Sequence, residues 1–308
     1  MKSSFYILLL STLLLNFGLA QNPPSSSIDI KQTMTPELLW KVKRVSGVGL
    51  SNDKNSVVYR ISTPSVEENK FSSVYYSVPV SGGSSSELKM PSDVLMDKNI
   101  SPDGKLKLTH KPFKVEPVHG YDFHPDLKKS TAQIYTALDY RHWDAWNEGT
   151  YNHVLYGPVS AADSTYTDIM KGESYNCPQK PFGGDEDYIW SPDNKSIIYV
   201  SKKLSGTKAV QSTNTDIYQY DINTGKTTNL TPDNKGYDTH PLYSANGDLA
   251  FLSMKTDGFE ADKNDIKVIS NGITTNLTAH WDETVQSFIW SNDGKSLYFT
   301  AAVDGTLQ

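Results

Sequence analysis

Asn229-Leu230-Thr231, followed by Ser244-Ala245-Asn246-Gly247-Asp248, returns 47 residues later as Asn276-Leu277-Thr278, followed by Ser291-Asn292-Asp293-Gly294-Lys295. A unit of roughly 40–50 residues holding four short strands is what a β-propeller blade looks like in sequence. Between the two copies the strands can be read in turn. Pro241 to Ser244 runs into a turn at Asn246-Gly247, and Leu249 to Met254 is an apolar run. A polar loop spans Lys255 to Asp265. Ile266-Lys267-Val268-Ile269 alternates, Asn271-Gly272 is a two-residue hairpin turn, and Ile273 to Leu277 closes the set. The turn box has a mechanism. Asp or Asn bonds back to the backbone, and Gly or Asn accepts a positive φ.

Earlier copies of the box start at Ser51, Ser101 and Ser191, the first with Lys54 where glycine is expected. The successive steps are 50, 90, 53 and 47 residues, so the long one predicts a degenerate extra blade around Tyr140 to Val159. The fold class expected is therefore all-β: a propeller of four-stranded blades with about six blade starts. The last blade is expected to be incomplete.

Outward from the repeats, Met1-Lys2, the apolar Phe5 to Leu15 and the small residues Gly18-Leu19-Ala20 read as a signal peptide cut after Ala20. That predicts a secreted or periplasmic protein with no membrane attachment after cleavage. The domains expected are a signal peptide over 1–20, a Pro- and Ser-rich linker over 21–33, and the propeller over 34–308. Thr35-Pro36-Glu37 starts a short helix, with Thr35 as cap and Pro36 in its first position. Leu38, Leu39 and Val42 would form its apolar side, and Lys41, Lys43 and Arg44 would decorate its end. The net charge of −6 comes from 29 basic and 35 acidic residues that are interspersed, which argues against a nucleic-acid-binding face. Cys177 is the only cysteine, so the core must hold without an internal disulfide.

The least repetitive stretch, Tyr135 to Tyr156, is also the most aromatic, and it reads as two strands joined by a turn at Asn147 to Thr150. Trp143 and Trp146 are read as packing residues between blades. The functional alternative sends Arg141, Trp143 and Glu148 to the channel or a substrate. Downstream, Asp185-Glu186-Asp187 reads as a solvated rim, with cation or ammonium binding as its functional use. In a blade the turn boxes lie at one end. The longer loops, including Lys180 to Asp187, Ser201 to Thr215 and Lys255 to Asp265, lie at the other, where a substrate should arrive. No G-x-S-x-G elbow, phosphate loop or helical His pair is present, so no catalytic residue, metal ligand or cofactor is expected in this chain.

The ordered set Met34-Thr35-Pro36-Glu37-Leu38-Leu39, Tyr140-Arg141-His142-Trp143-Asp144-Ala145-Trp146, Pro181-Phe182-Gly183-Gly184, Ser212-Thr213-Asn214-Thr215-Asp216-Ile217-Tyr218, Gly236-Tyr237-Asp238 and Asp257-Gly258-Phe259-Glu260-Ala261-Asp262-Lys263-Asn264 resembles the N-terminal propeller of the prolyl oligopeptidase family. The nearest branches are the dipeptidyl-peptidase and acylaminoacyl-peptidase-like ones. The resemblance implies a propeller that gates a serine peptidase, whose Ser, Asp and His stand in a following α/β-hydrolase domain. That domain is absent from this chain, so no triad residue is assigned. Its implied partners are oligopeptide substrates, that hydrolase domain and a second copy of the chain. An exopeptidase of this type needs an acid for the substrate ammonium, and Glu148 and Glu186 are the candidates. The rival reading is a stand-alone propeller that binds protein or glycan without catalysis.

Overall fold

The computed structural model describes residues 33–308 except Met90, Asp139 and Trp143. The leader read over 1–20 and nearly all of the linker lie outside the described residues, as does Trp143. The chain divides into two compact units, the first ending at Met96 and the second running from Asp97 to Gln308.

The first unit opens with α1 (Pro36–Leu39), where the Thr35 hydroxyl accepts from the Leu38 amide at 3.2 Å and Pro36 begins the helix as expected. The helix is a single turn, and Leu39 and Val42 are exposed rather than an apolar side. Arg44 belongs to the next strand, with its guanidinium 5.0 Å from the Phe71 ring centroid. The antiparallel sheet β1 (Arg44–Leu50), β2 (Ser56–Ser65), β3 (Lys70–Pro79) and β4 (Ser86–Leu88) is one complete blade. Lys54 takes the φ of +59° that glycine takes in other boxes, so the turn survives the substitution.

The second unit begins with a blade that corrects the count. β5 (Leu106–Lys114) pairs without interruption with β8 (Thr150–Pro158), from Leu106 opposite Pro158 to Lys114 opposite Thr150. β9 (Thr167–Asp168) adds the third strand. An isolated bridge, Ile100 to Lys107, stands in for the first. The 90-residue step is thus one blade with an insert over residues 115–149, and the described residues form no extra blade around Tyr140 to Val159. The described residues of the insert form α2 (Gly120–Phe123) and a two-residue ribbon of β6 (Arg141–His142) and β7 (Ala145–Trp146). The turn at Asn147 to Thr150 does join two strands, β7 and β8, but they do not pair with each other. Gly149 is required there: φ is +67°, and a Cβ would lie 2.2 Å from the Glu116 carbonyl oxygen.

Three further blades follow. The first is β10 (Tyr188–Trp190), β11 (Ser196–Ser201), β12 (Asp216–Asp221) and β13 (Thr227–Asn229), with α3 (Thr207–Gln211) between β11 and β12. Next come β14 (Asp238–Tyr243), β15 (Leu249–Ser253), β16 (Asp265–Ser270) and β17 (Ile273–Asn276). The last is β18 (Val285–Trp290), β19 (Leu297–Val303) and β20 (Thr306–Leu307). Strands within each sheet pair antiparallel, and neighbours follow chain order except where β5 reaches β8 across the insert, so the fold is a β-propeller with five blade sheets among the described residues rather than about six.

Two local devices explain the repeats. In the box, the Ser191 hydroxyl donates to Asp193 at 2.6 Å and accepts from the Ser196 amide at 2.9 Å. Ser51, Ser101 and Ser291 repeat both bonds. Hydroxyl and amide bonds to the carboxylate hold Asp193 below the usual carboxylate range despite some burial. In the Asn-Leu-Thr triplet, the Asn229 amide donates to Asp216 at 2.9 Å and the Thr231 hydroxyl accepts from the Ile217 amide at 3.0 Å. Asn276 and Thr278 do the same for Asp265 and Ile266. Each triplet therefore ties the end of a fourth strand to the start of the third.

Packing follows from strand alternation. All six residues of β11 are buried. Ile197 and Tyr199 face Leu108 and Val154 of the preceding blade, and Ile198 and Val200 face Leu249 and Phe251 of the following one. Ala250 and Leu252 continue the pattern toward Val285 and Phe288. A strand covered on both faces reads as a continuous apolar run, as β11 and β15 do.

Candidate substrate-facing site

The boxes join first to second strands, so the β5–β8 insert and the 177–187 loop ahead of β10 share the opposite end of the second unit. They meet at the start of β8. The Lys180 ammonium donates to the Thr150 carbonyl and the Asn152 amide donates to Asn176, at 2.8 and 2.9 Å. Three of the four residues singled out in the sequence, Arg141, Trp143 and Glu148, fall in the insert, and Glu186 falls in the loop.

Glu148 is half exposed and already engaged. One carboxylate oxygen accepts from Gln133 at 2.8 Å, and the other lies 2.9 Å from the His119 Nε2. A carboxylate offers about four acceptor positions, so room is left for a cation from solution. Beneath it, the Lys114 ammonium donates to the Glu148 carbonyl at 2.9 Å and pairs with Asp122 at 3.0 Å. Asp122 also accepts from the Val118 and His119 amides, both at 2.8 Å. Those amides, first Val118, and the Lys114 ammonium hold its carboxyl low, at about 2. The His119 to Glu148 pairing spans 29 residues of the insert, and no motif in the sequence announces it.

Arg141 lies on β6 with its guanidinium 5.8 Å from the Trp146 ring centroid. Trp146 in turn stacks with Tyr135 and Tyr140, centroids 6.0 and 5.9 Å apart. Trp146 packs within its own insert instead of between blades, and it is about half exposed, at 48%. The result is an exposed aromatic surface with a cation on it, next to the Glu148 carboxylate in sequence.

The three acids of the 177–187 loop are not one rim. Asp185 accepts from the Tyr188 hydroxyl at 2.5 Å, with His110 3.6 Å away. Glu186 is exposed and makes no hydrogen bond or ion pair with the described residues. Asp187 is buried. It accepts from the Gln179 amide at 2.8 Å, and a Cβ on Gly183 would come within 2.1 Å of its carboxylate. Burial pushes the Asp187 carboxyl up to about 7 against the pull of the Gln179 amide, and the Glu186 charge pushes the same way. Glu148 and Glu186 thus remain as exposed acids on two loops that meet at Thr150, and nothing brings them into contact.

A cavity of about 740 Å³ opens beside the base of the insert, lined among others by Lys114, Phe113, His153, Asp163 and Asp168. His153 is buried, with one ring nitrogen 2.8 Å from Asp168 and the other 2.8 Å from the Glu173 carbonyl. Burial disfavours its charged form, but the hydrogen bonds and charges of these neighbours win and raise its pKa. Among the described residues no group of three or more His, Cys, Asp or Glu side chains is placed to hold a metal ion.

Compared with known proteins, the chain is 32% identical over 331 aligned residues to dipeptidyl-peptidase 5 of Porphyromonas gingivalis, an alignment covering 92% of this chain and 48% of that protein. The chain is related to the propeller portion of that peptidase. Dipeptidyl-peptidase 5 of Porphyromonas endodontalis is likewise 32% identical, over 80% of this chain and 42% of its own. The chain spans about half the length of the curated relatives it matches. Among solved structures, the acylaminoacyl peptidase of Pyrococcus horikoshii superposes with a TM-score of 0.57, at 13% identity, over 87% of this chain and 44% of its own. At that identity the likeness speaks to the fold alone. No family signature matches the chain.

Proposed function

We propose that this propeller gates access to a serine exopeptidase that releases dipeptides or N-terminal residues from oligopeptides, and that the insert and the 177–187 loop form the surface a peptide meets. The observation that carries the reading is the likeness to dipeptidyl-peptidase 5 along nine tenths of the chain. In this reading Glu148 pairs with the free α-ammonium of the peptide, because its carboxylate is exposed, oriented by His119 and Gln133, and has acceptor positions to spare. Trp146 and Arg141 offer an aromatic and cationic face for the first side chains and carbonyls, and Trp143, two residues after Arg141 in sequence, is a further candidate contact. Glu186 is the second acid, on the adjoining loop.

Two measurements test it. Fluorescence anisotropy of short peptides with free and acetylated N-termini should show tighter binding of the free form to this chain, and Glu148→Gln should remove the difference. Equal binding of both forms would sink the ammonium role. For the gating role, residues 33–308 would replace the corresponding portion of the P. gingivalis relative, and dipeptidyl-aminomethylcoumarin hydrolysis would be followed. A chimera that folds and cleaves blocked and long substrates as fast as short free ones would count against gating.

A further inference from the structure

Two neighbouring repeats treat the same aspartate differently. In the blade of β14–β17, Asp265 starts the third strand, and one of its oxygens meets the Thr278 hydroxyl at 2.9 Å and the Lys263 ammonium at 2.8 Å. Lys263 also donates to the Thr278 carbonyl at 3.2 Å and to the Trp281 carbonyl at 2.5 Å. An ammonium thus sits in a cradle of one carboxylate and two backbone oxygens. The blade of β10–β13 has the same parts: Asp216 starts its third strand, Thr231 stands for Thr278, and Asn234 stands for Trp281, with the same turn closed by its amide on the Thr231 carbonyl at 3.2 Å. The lysine is missing, because the residue two before Asp216 is Asn214.

Nothing takes the lysine's place among the described residues. The corresponding Asp216 oxygen is buried without a hydrogen-bond partner, and so is the Asn214 side-chain oxygen. A third such oxygen belongs to Asp238, which stands where the next repeat has Val285 and is fully buried, at 0% exposure. The other Asp238 oxygen accepts from Ser253 at 2.6 Å and Asn234 at 2.9 Å, so the carboxylate is held in place with one oxygen free. Burial raises the Asp238 carboxyl to about 6, against the pull of the Ser253 and Thr231 hydroxyls and the Lys267 charge. Where one repeat sets a lysine ammonium against its aspartate, its neighbour leaves two carboxylate oxygens and an amide oxygen buried without a partner.

We propose that Asp216, Asp238 and Asn214, with the backbone oxygens of Thr231 and Asn234, bind a hard cation in place of the lysine, calcium being the best match. All five donors are oxygens, and calcium takes six to eight of them in flexible geometry with water completing the shell. The uncompensated buried charge is what such an ion would neutralise. Lys267 is the nearby ammonium, but it is 3.2 Å from the Asn234 side-chain oxygen and does not bond either orphaned carboxylate oxygen. The ion would join the start of β12 to the start of β14, beside the parallel bridge between Thr215 and Tyr237, and so fasten two blades together. This inference stands apart from the peptidase reading.

The test uses the full chain stripped with a chelator. Terbium is the probe, since Tyr218 donates to Asp216 at 3.2 Å and can sensitise its luminescence. Saturable luminescence at one ion per chain, displaced by calcium, is expected, and a hundredfold excess of calcium over its Kd should raise the Tm by about 5 °C. Asn214→Lys rebuilds the neighbouring arrangement and should abolish the terbium response while making the Tm independent of calcium. Asp238→Val, copying the next repeat, should also lose the response, and Glu186→Gln should keep it. A wild-type chain whose luminescence and Tm ignore both ions overturns the proposal, because a shared proton or a buried water would then satisfy the acids. So does a response that Glu186→Gln removes and Asn214→Lys spares.

Discussion

The blade of β10–β13 and the insert over residues 115–149 sit side by side in one unit and are built on opposite rules. In the blade, every side chain of β11 is buried and alternates between two neighbouring sheets, so its identity is dictated by packing. In the insert, Arg141, His142, Ala145 and Trp146 are exposed, and the groups are held by side-chain hydrogen bonds and ring stacking. Stability therefore resides in the repeats, and freedom to vary chemistry resides in the loop they carry.

The contrast can be broken most sharply at Ile198. Ile198→Ala removes a fully buried side chain from the junction of two blades and should cost about 2–5 kcal/mol in denaturant titration, with the preference for free over blocked peptides unchanged in the fraction that stays folded. A loss under about 1 kcal/mol would mean the junction is loosely packed.

Two buried groups near the insert should make stability pH-dependent in the same direction. Asp187 has a folded value of about 7 against an ordinary 3.8, so its contribution is complete below 3.8 and is lost as pH rises to about 7. His153 is raised above 6.5, so its contribution is complete below 6.5 and is lost as pH climbs through the higher folded value. Melting curves across this range should show Tm falling with pH. Asp187→Asn should flatten the acidic part of the slope and His153→Gln the upper part. A Tm that rises from pH 5 to 8 would contradict both assignments.

Smaller effects sharpen the comparison. Ser191→Ala strips the box of the hydroxyl that serves both Asp193 and the Ser196 amide and should cost about 1–2 kcal/mol by thermal or chemical melting. Glu148→Gln should weaken binding of free-amine peptides about fivefold, the size of an ion pair worth ~1 kcal/mol at a half-exposed carboxylate, while leaving blocked peptides alone. Arg141→Ala should change stability by no more than about 0.5 kcal/mol, since it sits on an exposed ribbon. If Arg141→Ala proved as damaging as Ile198→Ala, the division between scaffold and insert would fail.

The box and the Asn-Leu-Thr triplet were legible because their hydrogen bonds close over short stretches: Ser191 reaches Asp193 and Ser196, and Asn229 and Thr231 reach back only to Asp216 and Ile217. The hairpin at Asn271-Gly272 was legible for the same reason, both residues taking a positive φ of 50° and 77°. With spacing near 47 residues, these signals determined a propeller, its turns and the end of each blade where long loops gather. Only the tertiary structure decided that Leu106 to Lys114 closes on Thr150 to Pro158, because pairing across an insert depends on where the chain returns and not on what it passes through. It likewise decided that Asp187 is buried while Glu186 is not, that His119 meets Glu148, and that Asp216 and Asp238 leave oxygens unpaired between two blades. Each of these is a contact between residues whose distance in space bears no fixed relation to their distance along the chain.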